Sequence, residues 1–288
     1  MKLKDELKSV IPQDLLNLVP SGFDIIGSRS GAVAIIEIPS ELEDYKYEIA
    51  KAIIRNSRNV KAVLRRIGPR SGEFRLYNYE KLIGDLTEVI HVESGVRLML
   101  DPTKVFFSPR DQYDRLDLAS RVKDNEVIAY LFAGIAPYAF IILKHKPTVR
   151  IIYAVEINPE AIKYAEINVK LNKARGKVVP IEYDASAFCE RMRDRFHRVI
   201  MTLPLGAHQY LHDAIGCVAN GGVVNFYHTG PEENPFKDAE EIVMRHCSNA
   251  NVDCRIINER VVREYAPRVY KVRVDFEVSK VRNNLKLN

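Results

Sequence analysis

The chain has 288 residues, 47% apolar and 28% charged, with a net charge of +5 and a pI near 8.9. That is room for one large domain or two modest ones with a real core, and it excludes a disordered or low-complexity chain. No apolar run approaches the roughly 20 residues needed to cross a bilayer, and the opening MKLKDELKSVIPQDLL mixes acids and bases without the apolar stretch of a signal peptide.

Residues 1–20 read as a helix ending near Pro20. FDIIGSR (23–29) and GAVAIIEIP (31–39) read as two β-rich runs, with Gly31 in the turn between them. Ser40 is placed to cap a helix over about 41–56, whose apolar face carries Ile49, Ile53 and Ile54. VKAVLRRI, EFRLY, EVIHVES and VRLMLD follow as strands, so the first hundred residues are expected to form an α+β unit without α/β alternation. The basic residues are densest here, at Arg55, Arg58, Lys61, Arg65, Arg66 and Arg70. Such a cluster is either an ordinary solvated surface or a patch facing a polyanion.

The pattern changes near Pro109. Strands at 126–132, 148–156, 177–184, 197–203 and 221–227 alternate with helices at 137–145, 159–172, 208–219 and 236–249. Apolar strands alternating with helices mean a parallel sheet covered on both faces. Two long β runs at about 252–262 and 269–278, joined at YAPR, fit a closing hairpin, and the tail SKVRNNLKLN is polar and expected to fray. The expected architecture is thus residues 1–100 as a small α+β domain and 101–288 as a Rossmann-like α/β domain. Four cysteines, Cys189, Cys217, Cys247 and Cys254, form no C-x-x-C pair, so the expectation is free thiols, no metal site and no disulfide framework.

In an open parallel sheet, ligands bind beyond the carboxyl ends of the strands, where the strand order reverses. Four short stretches fall there. Phe132-Ala133-Gly134-Ile135-Ala136-Pro137 follows the first strand, and its small residues let backbone approach a ligand. Glu156 ends the second strand, where a carboxylate can accept both ribose hydroxyls. Asp184-Ala185 follows the third strand, placed for an adenine edge. Thr202-Leu203-Pro204 follows the fourth, where a transferring group would lie. Each also has a plainer reading: a tight turn for F-A-G, and helix caps for Glu156 and Asp184. Neither a G-x-G-x-x-G after the first strand nor a P-loop is present, which disfavours nicotinamide and nucleoside triphosphate sites.

The stretches FDIIGS, SGEFR (71–75), KVFFSPR (104–110) with Asp114-Arg115, FAGIAP, AVEINPEAI with Asn168 and Leu171-Asn172, VIMTLP and REYAPRVY (263–270) resemble the archaeal and eukaryotic tRNA (guanine-N1) methyltransferases that act at position 37, beside the anticodon. The similarity runs from about Phe23 to Val278. It implies a class I methyltransferase fold and S-adenosylmethionine as cofactor, held by Phe132, Ala133, Gly134, Pro137, Glu156, Ile157, Asp184, Ala185 and Leu203. It further implies a tRNA anticodon stem-loop as partner, with Arg110, Asp114, Thr202 and Pro204 around the reacting base. On this resemblance Arg110 contacts the guanine O6, and either Asp114 or Glu156 takes the N1 proton. A cytoplasmic monomer is expected, with no membrane and no metal.

The sequence also departs from that family at three places: Tyr130 stands for an Asp, Ala136 for a second loop Gly, and Thr202 for an Asn. Two other readings therefore stay open. One is the sister family that transfers an aminocarboxypropyl group in wybutosine synthesis, against which Arg110 counts. The other is a non-catalytic tRNA-binding paralogue.

Overall fold

A computed structural model describes residues 3–280 apart from Glu73 and Arg75. The tail beyond Lys280, and two residues of the SGEFR stretch, therefore lie outside the described residues. The chain divides into two compact units, Met1–Arg110 and Asp111–Asn288.

The first unit contains α1 (Leu3–Glu6), β1 (Asp24–Ser28), β2 (Gly31–Ile36), α2 (Lys46–Asn56), β3 (Val60–Ser71), β4 (Leu76–Ile83), β5 (Val89–Glu93) and β6 (Val96–Leu100). Strands β1-β2-β3-β4 form one sheet, and β5 and β6 pair separately. The helix expected over 1–20 is reduced to α1 and a 3-10 turn at Leu16–Leu18, although Leu3, Leu7 and Leu16 are buried as its apolar face would be. Pro12 interrupts it, since proline removes an amide donor and clashes with the preceding turn. Ser40 does not cap α2: its hydroxyl turns to Glu41, and a 3-10 turn, Ser40–Tyr45, precedes the helix.

The expected lack of α/β alternation in this unit is also corrected, because β2 and β3 are parallel and α2 crosses between them. The reason is visible in burial. Ala34, Ile36 and Val63 are at most 1% exposed, and α2 contributes Ile49, Ala50 and Ile53 to the same apolar cluster. Burying both elements at once outweighs the shorter antiparallel connection.

The second unit contains α3 (Gln112–Ser120), β7 (Val127–Leu131), α4 (Pro137–His145), β8 (Ile151–Glu156), α5 (Pro159–Leu171), β9 (Val178–Glu182), α6 (Ala185–Arg191), β10 (Phe196–Met201), α7 (Leu211–Cys217), β11 (Val218–Pro231), α8 (Lys237–Asn249), β12 (Asp253–Ala266) and β13 (Val269–Ser279). The sheet order is β12-β13-β11-β10-β7-β8-β9. Strands β7 to β11 are parallel, and β13 runs antiparallel to both β11 and β12, closing the sheet with the expected hairpin. The order reverses between β7 and β10, which makes that gap the switch point.

Cysteine chemistry differs in part from expectation. Cys189 and Cys217 are free and buried, but Cys247 on α8 and Cys254 on β12 form a disulfide that ties the helix to the strand it precedes. Two cysteines seven positions apart carry no signal in sequence, because only the α8–β12 turn brings them within bonding distance.

The helix α3 was not anticipated, because the face it buries is charged. Asp111, just ahead of it, and Asp114 are at most 4% exposed. Asp111 meets Arg263 at 2.7 Å and Lys271 at 2.8 Å. Asp114 meets Arg273 at 2.6 Å, and Arg273 in turn reaches Asp117 and, at 2.9 Å, Asp275. Burial alone would raise the carboxyl pKa of Asp111, but the charges of Lys271 and Arg263 outweigh it and hold it well below the usual range.

Candidate functional site

The carboxyl ends of β7, β8, β9 and β10 share one rim of the second unit, because the four strands are parallel neighbours. All four stretches singled out in the sequence lie on it. After β7, the loop 132–136 turns through the left-handed region at Phe132 (φ 58°), Gly134 (φ 54°) and Ala136 (φ 63°). Glycine enters this region freely, whereas an L side chain pays roughly 1–2 kcal/mol. Ala136 thus occupies a position whose backbone favours the glycine found in the similar family.

The strained loop is held from several sides. The Ala133 amide donates to the Val155 carbonyl at 3.0 Å, and the Thr202 hydroxyl donates to the Phe132 carbonyl at 3.1 Å. The side chain of Asn168, wholly buried on α5, faces the Ile135 carbonyl at 3.5 Å. Glu156 is the hinge of the arrangement. Its Oε2 accepts from the Gly134 amide at 2.7 Å, and its Oε1 accepts from the amides of Ile157 and Asn158, both at 2.9 Å. Of the roughly four lone-pair sites of a carboxylate, these bonds leave one, on Oε2, for a further donor such as a hydroxyl.

The rest of the rim differs in exposure along its length. Ile157, immediately after Glu156, is an apolar side chain 43% exposed. Asp184 is exposed and caps α6 through the Ala187 amide at 2.9 Å, and Ala185 behind it is buried. Thr202, Leu203 and Pro204 are half-buried, and Pro137 is buried as the first residue of α4. This donor and acceptor set fits an adenosyl group. Glu156 can take a ribose hydroxyl, and Ile157 offers an apolar surface to the adenine face.

Two tyrosines were missed or undervalued in the sequence. The Tyr210 ring packs edge-on against Phe132 at 5.0 Å, so the segment after Pro204 helps support the loop. Its sequence signal was only an aromatic residue six positions past Pro204. Tyr130 is buried beneath the rim against Tyr138 at 5.6 Å. Burial pushes its hydroxyl pKa well up, partly offset by the Thr202 side chain, so it stays a neutral phenol. Two of the three departures from the family pattern, Tyr130 and Thr202, therefore meet each other.

Asp114 is not on the open rim. It is 1% exposed, and it accepts from Tyr138 (2.6 Å), Tyr227 and Arg273 (2.6 Å). Arg110 is the last residue of the first unit and is described within it. Its Nε donates to Asp24 at 2.6 Å, while the other Asp24 oxygen takes Arg66 at 2.8 Å. The Arg110 side chain is 55% exposed, and its terminal amino groups meet no acceptor among the described residues. No group of three His, Cys, Asp or Glu suited to a metal occurs among the described residues, and none of their helices is long and apolar enough to cross a membrane.

Residues 89–257 match the TRM5/TYW2 methyltransferase domain, and residues 3–87 match the TYW2 N-terminal domain. The tRNA (guanine(37)-N(1))-methyltransferase Trm5b of Pyrococcus abyssi is 40% identical over 270 residues, covering 93% of this chain and 78% of that protein. The tRNA(Phe) (4-demethylwyosine(37)-C(7)) aminocarboxypropyltransferase of Pyrococcus horikoshii is 29% identical over 280 residues, covering 97% of both. A solved complex of aTrm5 with tRNALeu aligns with a TM-score of 0.82 at 31% identity, over 96% of this chain and 78% of that one.

Proposed function

The chain belongs to the TRM5/TYW2 methyltransferase family, and from that premise we propose that it methylates N1 of guanosine 37 in tRNA, working as a cytoplasmic monomer that grips the anticodon stem-loop. S-adenosylmethionine, when bound, supplies an electrophilic methyl on a positively charged sulfur. Glu156 and the loop 132–137 orient it, with Ile157, Asp184, Ala185 and Leu203 completing the cradle. Thr202 and Pro204 border the space for the target base.

Methylating guanine N1 displaces its proton, and negative charge moves onto O6. Arg110 answers that charge with the terminal amino groups left over after its Nε bonds Asp24. Proton removal falls to a carboxylate. Asp114 and Glu156 are the two candidates: each accepts three donors, Glu156 from backbone amides on the rim and Asp114 from Tyr138, Tyr227 and Arg273 in a buried network. Transfer of an aminocarboxypropyl group is the second reading, favoured by the match of residues 3–87 to the TYW2 N-terminal domain.

The observation that carries the proposal is the Glu156 carboxylate fixed by three backbone amides at the switch-point rim. Glu156→Ala is expected to weaken S-adenosylmethionine binding by about 1–3 kcal/mol, the worth of a charge-assisted hydrogen bond lost from a half-buried site. Calorimetric titration measures it. Equal affinity of wild type and variant would show that the cofactor does not use this rim.

A further inference from the structure

The basic cluster of the first unit is less available than its charge count implies. Arg55 is tied to Glu6, Arg65 to Glu43, and Arg66 to both Asp24 (2.8 Å) and Glu37 (3.0 Å). Arg70 differs. Among the described residues it meets no carboxylate, and its buried Nε has no hydrogen-bond partner. Its guanidinium instead lies over two aromatic rings, Phe106 at 4.4 Å and Tyr77 at 4.9 Å. Those rings line a groove in the first unit with Arg66, Leu76, Tyr79 and Phe107.

A guanidinium resting on rings is held in orientation by its face, while its N–H donors point out in the plane. In-plane donors match two oxygens of a phosphate. Phe106 is also 41% exposed, so its ring keeps open apolar surface beyond what the cation covers. A cation next to an open aromatic ring is the pairing that holds single-stranded nucleic acid: phosphate on the charge, base on the ring. A duplex offers the phosphate but keeps its bases stacked inside.

We infer that Arg70, set on Tyr77 and Phe106, holds one unpaired nucleotide of an RNA, gripping its phosphate while Phe106 stacks its base. The inference rests on the reading that the chain binds tRNA and names a subsite for a looped-out or single-stranded nucleotide.

The test uses the full chain and fluorescence anisotropy with three probes: an unstructured oligoribonucleotide, an RNA duplex of equal length, and a tRNA transcript. Arg70→Gln is expected to weaken the single strand about tenfold and to lower the steepness of its log affinity against log salt by about 0.7, one phosphate contact. Arg70→Lys keeps the salt steepness but recovers only part of the affinity, because the planar fork is lost. Phe106→Ala is expected to cost about tenfold with the salt steepness unchanged, as a lost stacking contact should. Thermal melting of each variant checks that it folds.

If wild type binds tRNA while Arg70→Gln and Phe106→Ala change nothing, the subsite is wrong and the tRNA reading stands. If wild type binds neither tRNA nor the oligonucleotide, the underlying reading fails and takes the subsite with it. Equal losses for duplex and single strand overturn the unpaired nucleotide. So does displacement of the single strand by inorganic phosphate that depends on Arg70 but not on Phe106, which would mark a free-anion site.

Discussion

Arg110→Ala is expected to lower the single-turnover rate of methyl transfer by about 10²–10³, the usual loss when one donor to a developing oxyanion is removed. The reasoning starts from where charge changes. Neutral guanine makes little use of a cation at O6, whereas a guanine losing its N1 proton makes much, so a cation in the proposed place would favour the transition state over the bound ground state. Asp24 holds the guanidinium by its Nε, and the terminal donors meet no acceptor among the described residues. Binding of tRNA should therefore be nearly unchanged in the variant, and Arg110→Lys should rescue only part of the rate. Rate and affinity are measured on the same tRNA transcript carrying guanosine at position 37. A fall in tRNA affinity matching the fall in rate would make Arg110 a binding residue instead.

Arg273→Met is expected to destabilise the second unit by about 3–5 kcal/mol, the cost of leaving buried charges without a partner. Arg273 is wholly buried and serves Asp114, Asp117 and Asp275 together. Its own pKa is raised, since Tyr227, Asp114 and Asp275 outweigh the burial that opposes its charge. The same network sets an acid limit. Burial would raise the carboxyl pKa of Asp117, but hydrogen bonds from Arg121 and Arg273 and the charges of Arg273 and Arg260 bring it to about 2. A depressed folded pKa contributes stability that is complete above the unfolded value of roughly 4 and is lost as pH falls toward the folded one. The stability of wild type should thus decline between about pH 4 and 2, and in the variant the decline should be smaller and end at higher pH, because without Arg273 the folded pKa of Asp117 lies nearer the unfolded one. Denaturant melts at stepped pH values record both effects. A variant as stable as wild type at neutral pH would mean that the network contributes specificity without net stability.

What could be read in the sequence follows from how each part is stabilised. The strands β7, β8 and β10 were legible because burial on both faces demands continuous apolar runs, and VIAYL of β7 is buried at four of its five positions. The rim was legible because strand order alone fixes where the residues after those strands must lie. The helix α3 was not, since QYDRLDLAS is stabilised by ion pairs contributed more than 140 positions later, as from Arg260 to Asp117. No local window contains that information. The shortened start of the chain shows the opposite error, in which an apolar face was real but Pro12 prevented one helix from carrying it. At the candidate site, Glu156 could be singled out by position, but its bond to the Gly134 amide depends on the left-handed turns at Phe132 and Ala136, which a sequence without the glycine hides. The basic cluster was visible as a count. Pairing ties Arg55, Arg65 and Arg66 to carboxylates, and of the remaining Arg58, Lys61 and Arg70 it is the placement of Arg70 over the Tyr77 and Phe106 rings that sets it apart.

The central claim, that S-adenosylmethionine serves here to methylate guanosine 37, is tested most directly by the mass of the nucleoside formed. Wild-type protein is incubated with S-adenosylmethionine and two tRNA transcripts, one with guanosine and one with adenosine at position 37, and the digested nucleosides are weighed. The expected result is a single methyl group on guanosine 37 of the first transcript, at N1, and nothing on the second. An aminocarboxypropyl adduct would contradict the claim in favour of the sister activity. No modified nucleoside from a protein that binds both ligands would contradict it in favour of a non-catalytic tRNA-binding role.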